Sequence, residues 1–194
     1  MKNMKLSVRL VGSFVAVALL TCLVGLVGTI SVYSIDKAGT ELYEENTVAL
    51  AHTGKLKEDF QKMRNVFRDG MMNKFLFNRD AAEQFSQVKE LDGAMQKTLS
   101  ELEKIIKKDD LKQALTGVNT ALNEYYPVRN RLSALVEEGR QEESFSLLQG
   151  DVAVFGKKLG EAIVRIDELA VDQAKARSDG NARKANRAVL MMWL

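Results

Sequence analysis

The stretch "VKELDGAMQKTLSELEKIIKKDDLKQALTGVNTAL", Val88 to Leu122, decides how this chain folds. Its apolar residues fall at Val88, Leu91, Met95, Leu99, Leu102 and Ile106, then restart at Leu111, Leu115, Val118 and Leu122. Steps of three and four place each set on one face of a helix. Between them, "KKDD" supplies cations that suit a helix C-terminus and Asp109 as the N-cap of the next helix. So short a connection makes the two helices antiparallel neighbours.

The same reading extends in both directions. Upstream, Leu56, Phe60, Met63, Phe67 and Met71 form one stripe, and Phe85 opens the next. Downstream, the third stripe continues through Tyr125, Leu132 and Val136. A fourth runs through Val152, Phe155, Leu159, Ile163, Ile166 and Ala170. Breaks are few. "FNRDAAE" pairs Asp80 with Glu83 in a capping-box-like start. Gly139 is a C-terminal stop, and Gly150 with Asp151 a further stop and start. "EESFSLLQ" adds a turn or two before the last helix. Pro127 in "NEYYPVRN" removes a helix hydrogen bond to the Asn123 carbonyl and is expected to kink the third helix. The predicted fold is all-α: an up-down-up-down antiparallel four-helix bundle whose long helices continue into N- and C-terminal transmembrane helices.

A charge-free run, Leu10 to Ser34, carries that last expectation at the N-terminus. A helix needs about 20 apolar residues to cross a bilayer, and a cleaved signal peptide has an apolar core of only about 7–15. Lys2, Lys5 and Arg9 precede the run, whereas Asp36, Glu41, Glu44 and Glu45 follow it with Lys37. The positive-inside rule then keeps the N-terminus cytoplasmic. The expected organisation is a basic cytoplasmic leader over 1–9, a first transmembrane helix over 10–34, an exported sensor bundle over 35–187, and the start of a truncated second span over 188–194. "AVLMMWL" at the C-terminus carries the last of these. Arg183, Lys184 and Arg187 beside it run against the charge rule, which the first helix dominates. The first bundle helix, from 36 to 77, would be about 60 Å long at about 1.5 Å per residue.

Three of the 28 basic residues lie in the leader; the other 25 face 26 acidic ones. That balance is no footprint for nucleic acid, which needs a basic face. Cys22, the single cysteine, excludes an internal disulfide and reads as a small buried hydrophobe. The single histidine, His52, cannot build a histidine metal cluster alone. No phosphate-binding glycine loop, haem motif or paired catalytic carboxylates occur. We predict no catalytic residue, no metal site and no cofactor.

One feature calls for a ligand. With Met63 at zero and about 100° per residue, the first stripe centres near about 40°. Lys57, Arg64, Arg68 and Gln61 then fall between about 100° and about 160°, forming a basic edge beside the stripe. Either this edge is solvated, with its methylene stems covering the core, or it is half of an anion site. The candidate ligand-binding residues are Arg64 and Arg68, with Phe67 and Phe155 from the adjoining stripes; core packing is the other reading of the two phenylalanines. Gly156 and Gly160, on one edge with Asp167, let a helix or a ligand come close.

The leader "MKNMKLSVRL", the uncleaved first span, "LYEENTVALAHTGKLKEDFQKMRNVFRD" and "EEGRQEESFSLLQGD" before the long last helix resemble the N-terminal part of bacterial methyl-accepting chemotaxis proteins. The resemblance covers nearly the whole chain and is most specific over Leu42 to Asp69. It implies a homodimer in the bacterial inner membrane with its sensor domain periplasmic. It implies a small ligand, an organic acid or amino acid, or alternatively a periplasmic binding protein. The ligand would sit near the dimer interface, with an arginine of the first bundle helix at the site, and displacement of the last helix would carry the signal. Linker, methylated helices and signalling hairpin are not among these residues. The alternatives are therefore the input domain of a membrane sensor histidine kinase or cyclase, and a ligand-free structural or partner-sensing bundle.

Overall fold

A computed structural model describes residues 6–193 of the chain. Lys2 and Lys5 of the basic leader, and Leu194, lie outside the described residues. The described chain is helical and contains no strand. It divides into two units: Tyr43–Ala174, and Met1–Leu42 with Lys175–Leu194.

The first unit is a four-helix bundle. Its helices are α2 (Val48–Phe75), α3 (Ala82–Ile105), α4 (Asp109–Glu137) and the part of α6 (Ala153–Trp193) up to Ala174, preceded by the short α5 (Gln141–Leu147); α1 (Leu6–Glu41) begins the other unit. Side-chain pairs fix the topology. Asp92 meets Arg129, Gln96 meets Tyr126 and Glu103 meets Asn119, so numbers rise on α3 as they fall on α4. Asp110 with Gln173 and Glu124 with Lys158 make α4 and α6 antiparallel. Thr53 with Asp167, and Phe60 with Gly160, do the same for α2 and α6. Phe60 against Tyr125 and Met63 against Arg129 make α2 and α4 parallel. The order is up, down, up, down.

The predicted stripes form the core. Leu56, Met63, Met95, Leu99, Leu102, Leu122, Leu159 and Ile163 are fully or almost fully buried. Each such side chain contributes on the order of 1.5–3 kcal/mol of burial. Leu91 and Phe155 are only half-buried, and Met72 of the methionine cluster is exposed while Met71 is buried. At Gly70 the helices α2 and α3 close in: a Cβ there would lie 3.2 Å from Cβ of Gln84. Gly139 ends α4 at φ +75°, the left-handed conformation that glycine adopts without penalty.

Several local expectations are corrected. Lys108, not Asp109, is the N-cap of α4, because the chain stays extended at Ile106 and Lys108 and coils one residue earlier than expected. Asp109 and Asp110 instead place negative charge in the first turn. Ala81 caps α3; Asp80 still accepts the Ala82 N–H at 3.2 Å, but Glu83 turns to Gln87. Pro127 lies inside α4, as expected, and both it and Asn123, whose carbonyl it leaves without a helix partner, are exposed to water. The break expected at Gly150 and Asp151 is present: Gly150, at φ −87°, ψ −110°, leaves the helical conformation and puts a kink in Leu148–Val152, between α5 and α6.

In the other unit, Leu10–Thr40 of α1 is apolar and long enough to cross a membrane, with mean hydropathy 2.6 and no burial against protein in its apolar window. Cys22 is therefore exposed rather than buried. Ser13, Thr21 and Thr29 turn their hydroxyls back onto the carbonyls of Leu10, Val17 and Gly25 at 2.8–2.9 Å. Each polar group is satisfied within its own helix, as hydrocarbon requires. Asn181 of α6 donates to the Ala38 carbonyl at 3.0 Å.

Candidate functional site

The cationic edge of α2 has two fates. At its lower end Lys57 reaches Asp167 of α6 at 3.3 Å. The same carboxylate accepts the hydroxyl of the fully buried Thr53 at 2.9 Å. Asp167 thus ties α2 to α6, and Lys57 is neutralised. Farther along, Arg64 makes no ion pair among the described residues. Its guanidinium lies over the Phe60 ring at 5.8 Å. Among the described residues Arg68 has only a long hydrogen bond, 3.4 Å, to Asn65 of its own helix.

Arg64 and Arg68 line a cleft of about 790 Å³ in the bundle unit. From α2 come also Gln61, Asn65, Phe67 and Met71. The opposite wall is the kinked segment around Gly150, through Leu148, Gln149 and Val152. The first turn of α6 adds Ala153, Gly156 and Lys157, and α4 adds Tyr125. Among the described residues three cations and three amides surround an apolar floor, and no carboxylate lines it. Lys157 has Glu161 at 3.7 Å, both exposed, which is a weak tie. Such a cleft can take a carboxylate between guanidinium groups, whose paired N–H donors match its two oxygens.

The cleft therefore gathers three of the four predicted residues, Arg64, Phe67 and Arg68. Phe155 is not among its lining residues; it is half-buried against the core. Tyr125 is 4% exposed. Burial pushes its phenol above the ordinary tyrosine range, and the charges of Arg129 and Arg64 pull it back by less. Lys157 was not foreseen; the break at Gly150, between a short helix and a long one, was, but not its place in the wall of the cleft.

A second polar cluster was missed altogether. Arg129 of α4 is 4% exposed inside the bundle. It donates to Asp92 at 2.7 Å and to Asn130 at 2.6 Å, contacts the Met63 sulfur and lies over the Tyr126 ring at 5.1 Å. Its Nε finds no acceptor among the described residues. His52 is half-buried on α2, and no group of three metal-binding side chains occurs among the described residues.

Residues 3–185 match the protein family described as a four helix bundle sensory module for signal transduction. No curated protein and no solved structure matches the chain.

Proposed function

Because the chain belongs to the family of four-helix-bundle sensory modules of methyl-accepting chemotaxis proteins, we propose that it senses a small organic anion for a chemotaxis transducer. The anion, an organic acid or amino acid, occupies the cleft beside Arg64 and Arg68. The observation that carries this reading is the gathering of Arg64, Arg68 and Lys157 around one cleft whose lining holds no carboxylate. Like charges gathered in this way repel unless an anion neutralises them.

The cleft draws its walls from α2 on one side and the kinked segment at Gly150 with the start of α6 on the other. An anion that grips both biases α6 against α2, provided it binds one arrangement better than the other. Displacement of α6 is then the outgoing signal. The apolar α1 and the basic leader support an anchor in the bacterial inner membrane with residues 35–187 periplasmic. The working form is a homodimer. Val154, Val164 and Val171 of α6 support it, since they remain exposed with heptad-compatible spacing. A Val164→Cys variant should cross-link to a second copy in membranes; cross-linking no faster than at the remote Lys108→Cys counts against that dimer.

A docked periplasmic binding protein is the second reading. Leu76 and Phe77, in the link between α2 and α3, are 67% and 55% exposed, an apolar surface in search of cover.

Thermal melts of the full chain in lipid nanodiscs against acetate, succinate, citrate, glutamate and benzoate test the anion reading. A ligand at a hundred times its dissociation constant adds about 2.7 kcal/mol of stability. At least one anion should raise the melting temperature, and an Arg64→Ala/Arg68→Ala variant should lose that rise. No response to any of them, or an undiminished response in the variant, rejects the cleft as the sensor.

A further inference from the structure

The floor of the cleft is not uniformly aliphatic. Tyr125 reaches it from α4, across the bundle, and does so beside Gly156. A Cβ at position 156 would lie 3.4 Å from Cε2 of Tyr125 and 4.0 Å from its Cδ2. Without that atom no side chain at position 156 covers this edge of the otherwise buried ring, 4% exposed, where it meets the cleft. Phe60 holds the ring in place edge-on, with centroids 6.0 Å apart. Phe67, itself buried and stacked toward Phe85, adds a second aromatic wall on the Arg64 side. Arg64 lies over Phe60, so its guanidinium is presented near the aromatic floor.

An anion that fills this site needs two parts. Its carboxylate belongs with the arginines, and its body belongs against ring edges and the Met71 and Leu148 side chains. A short aliphatic acid satisfies the first requirement and leaves the floor wet. A flat unsaturated body offers its π-face to the positively polarised edge of Tyr125, the arrangement aromatic pairs favour. Resting on the anion-binding reading of the cleft, we propose that Gly156 is a specificity-determining residue. By leaving the Tyr125 edge open, it selects carboxylates with a planar body of about benzoate size over short aliphatic ones.

Calorimetric titration of the full chain in nanodiscs with benzoate and with propionate tests this. Wild type should bind benzoate more tightly. Gly156→Ala adds a methyl that fits at ordinary contact distance from Tyr125, so the fold should hold. It should weaken benzoate by about tenfold or more, the scale of one methyl group in a pocket, and leave propionate within about twofold. Equal benzoate binding by Gly156→Ala overturns the proposal, as does an equal loss for both acids. Failure of wild type to prefer benzoate also overturns it. If succinate or citrate then still binds in an Arg64-dependent way, the anion reading survives alone; if no anion binds, both fall. Should Gly156→Ala not fold, Tyr125→Phe and Tyr125→Leu decide. The proposal requires Phe to keep benzoate affinity and Leu to lose it, and equal affinities overturn it.

Discussion

Arg129 and the pair Arg64 and Arg68 are the same chemical group in one bundle, used in opposite ways. Arg129 is buried at 4% exposure, ion-paired with Asp92 and stacked on Tyr126. Arg64 and Arg68 stand exposed on a cleft and meet no carboxylate among the described residues. A guanidinium taken out of water needs its partners built in, or the desolvation cost is not offset. A guanidinium left at a cleft keeps its water and can exchange it for a ligand. The first kind specifies which helices pack together; the second is free to recognise something outside the chain.

The comparison breaks first at Arg129. Replacing it with methionine leaves Asp92 without its cation. Asp92 is 20% exposed and can recover some water, so the expected loss lies near the lower end for a broken buried pair, about 3 kcal/mol. Urea unfolding should register it, and Arg129→Met/Asp92→Leu should regain most of the loss. Full stability in the single variant would mean that the pair does not hold α3 to α4.

A smaller effect is expected at the tie between α2 and α6. Asp167→Ala removes the acceptor of Thr53 and the partner of Lys57. Thr53 keeps a second acceptor, the Leu50 carbonyl at 3.0 Å, and Lys57 is exposed enough to be solvated. The cost should be about 1 kcal/mol, in the range of a single net hydrogen bond. A larger loss would make this tie the dominant restraint on α6, which the proposed displacement could not easily overcome.

Alkali gives a further contrast. Burial raises the phenols of Tyr125 and Tyr126, while the unfolded chain titrates near the usual value of about 10. The unfolded state therefore loses its protons first. The stability from these two groups is complete below about pH 10 and falls as pH rises through the folded-state values. Ultraviolet titration should show the phenols of Tyr125 and Tyr126 ionising late; both ionising near about pH 10 would contradict the burial of this layer. The smallest effect on stability is expected at Arg64. Its replacement by alanine should change unfolding free energy by no more than about 0.5 kcal/mol.

These contrasts also explain what could be read without coordinates. Apolar spacing alone identifies the four helices, because a stripe of Leu56, Phe60, Met63 and Phe67 has only one way to be buried. It also hides Arg129. The third stripe steps from Tyr125 to Leu132, and position 129 lies between them on the inward face, so the gap in the stripe was the available signal. Lys57 and Arg64 share one edge and are indistinguishable by periodicity. They differ because Asp167 of another helix lies opposite only the first, and the register between two helices is not contained in the period of either. The break at Gly150 was legible, because a glycine followed by an aspartate marks a helix stop and start; that Leu148, Gln149 and Val152 around it wall the cleft was not, because that answers to packing across the bundle.

The central claim is that Arg64 recognises an anion and does not hold the fold. Its most direct test is calorimetric titration of Arg64→Lys and Arg64→Ala with the organic anion that most raises the wild-type melting temperature. Lysine keeps the charge but lacks the planar fork. Both variants should therefore lose about 1.5–3 kcal/mol of binding free energy, the scale of a hydrogen bond to a charged group, while melting like wild type without ligand. Wild-type affinity in both variants, or an Arg64→Ala chain that melts early and an Arg64→Lys chain that binds normally, would contradict it.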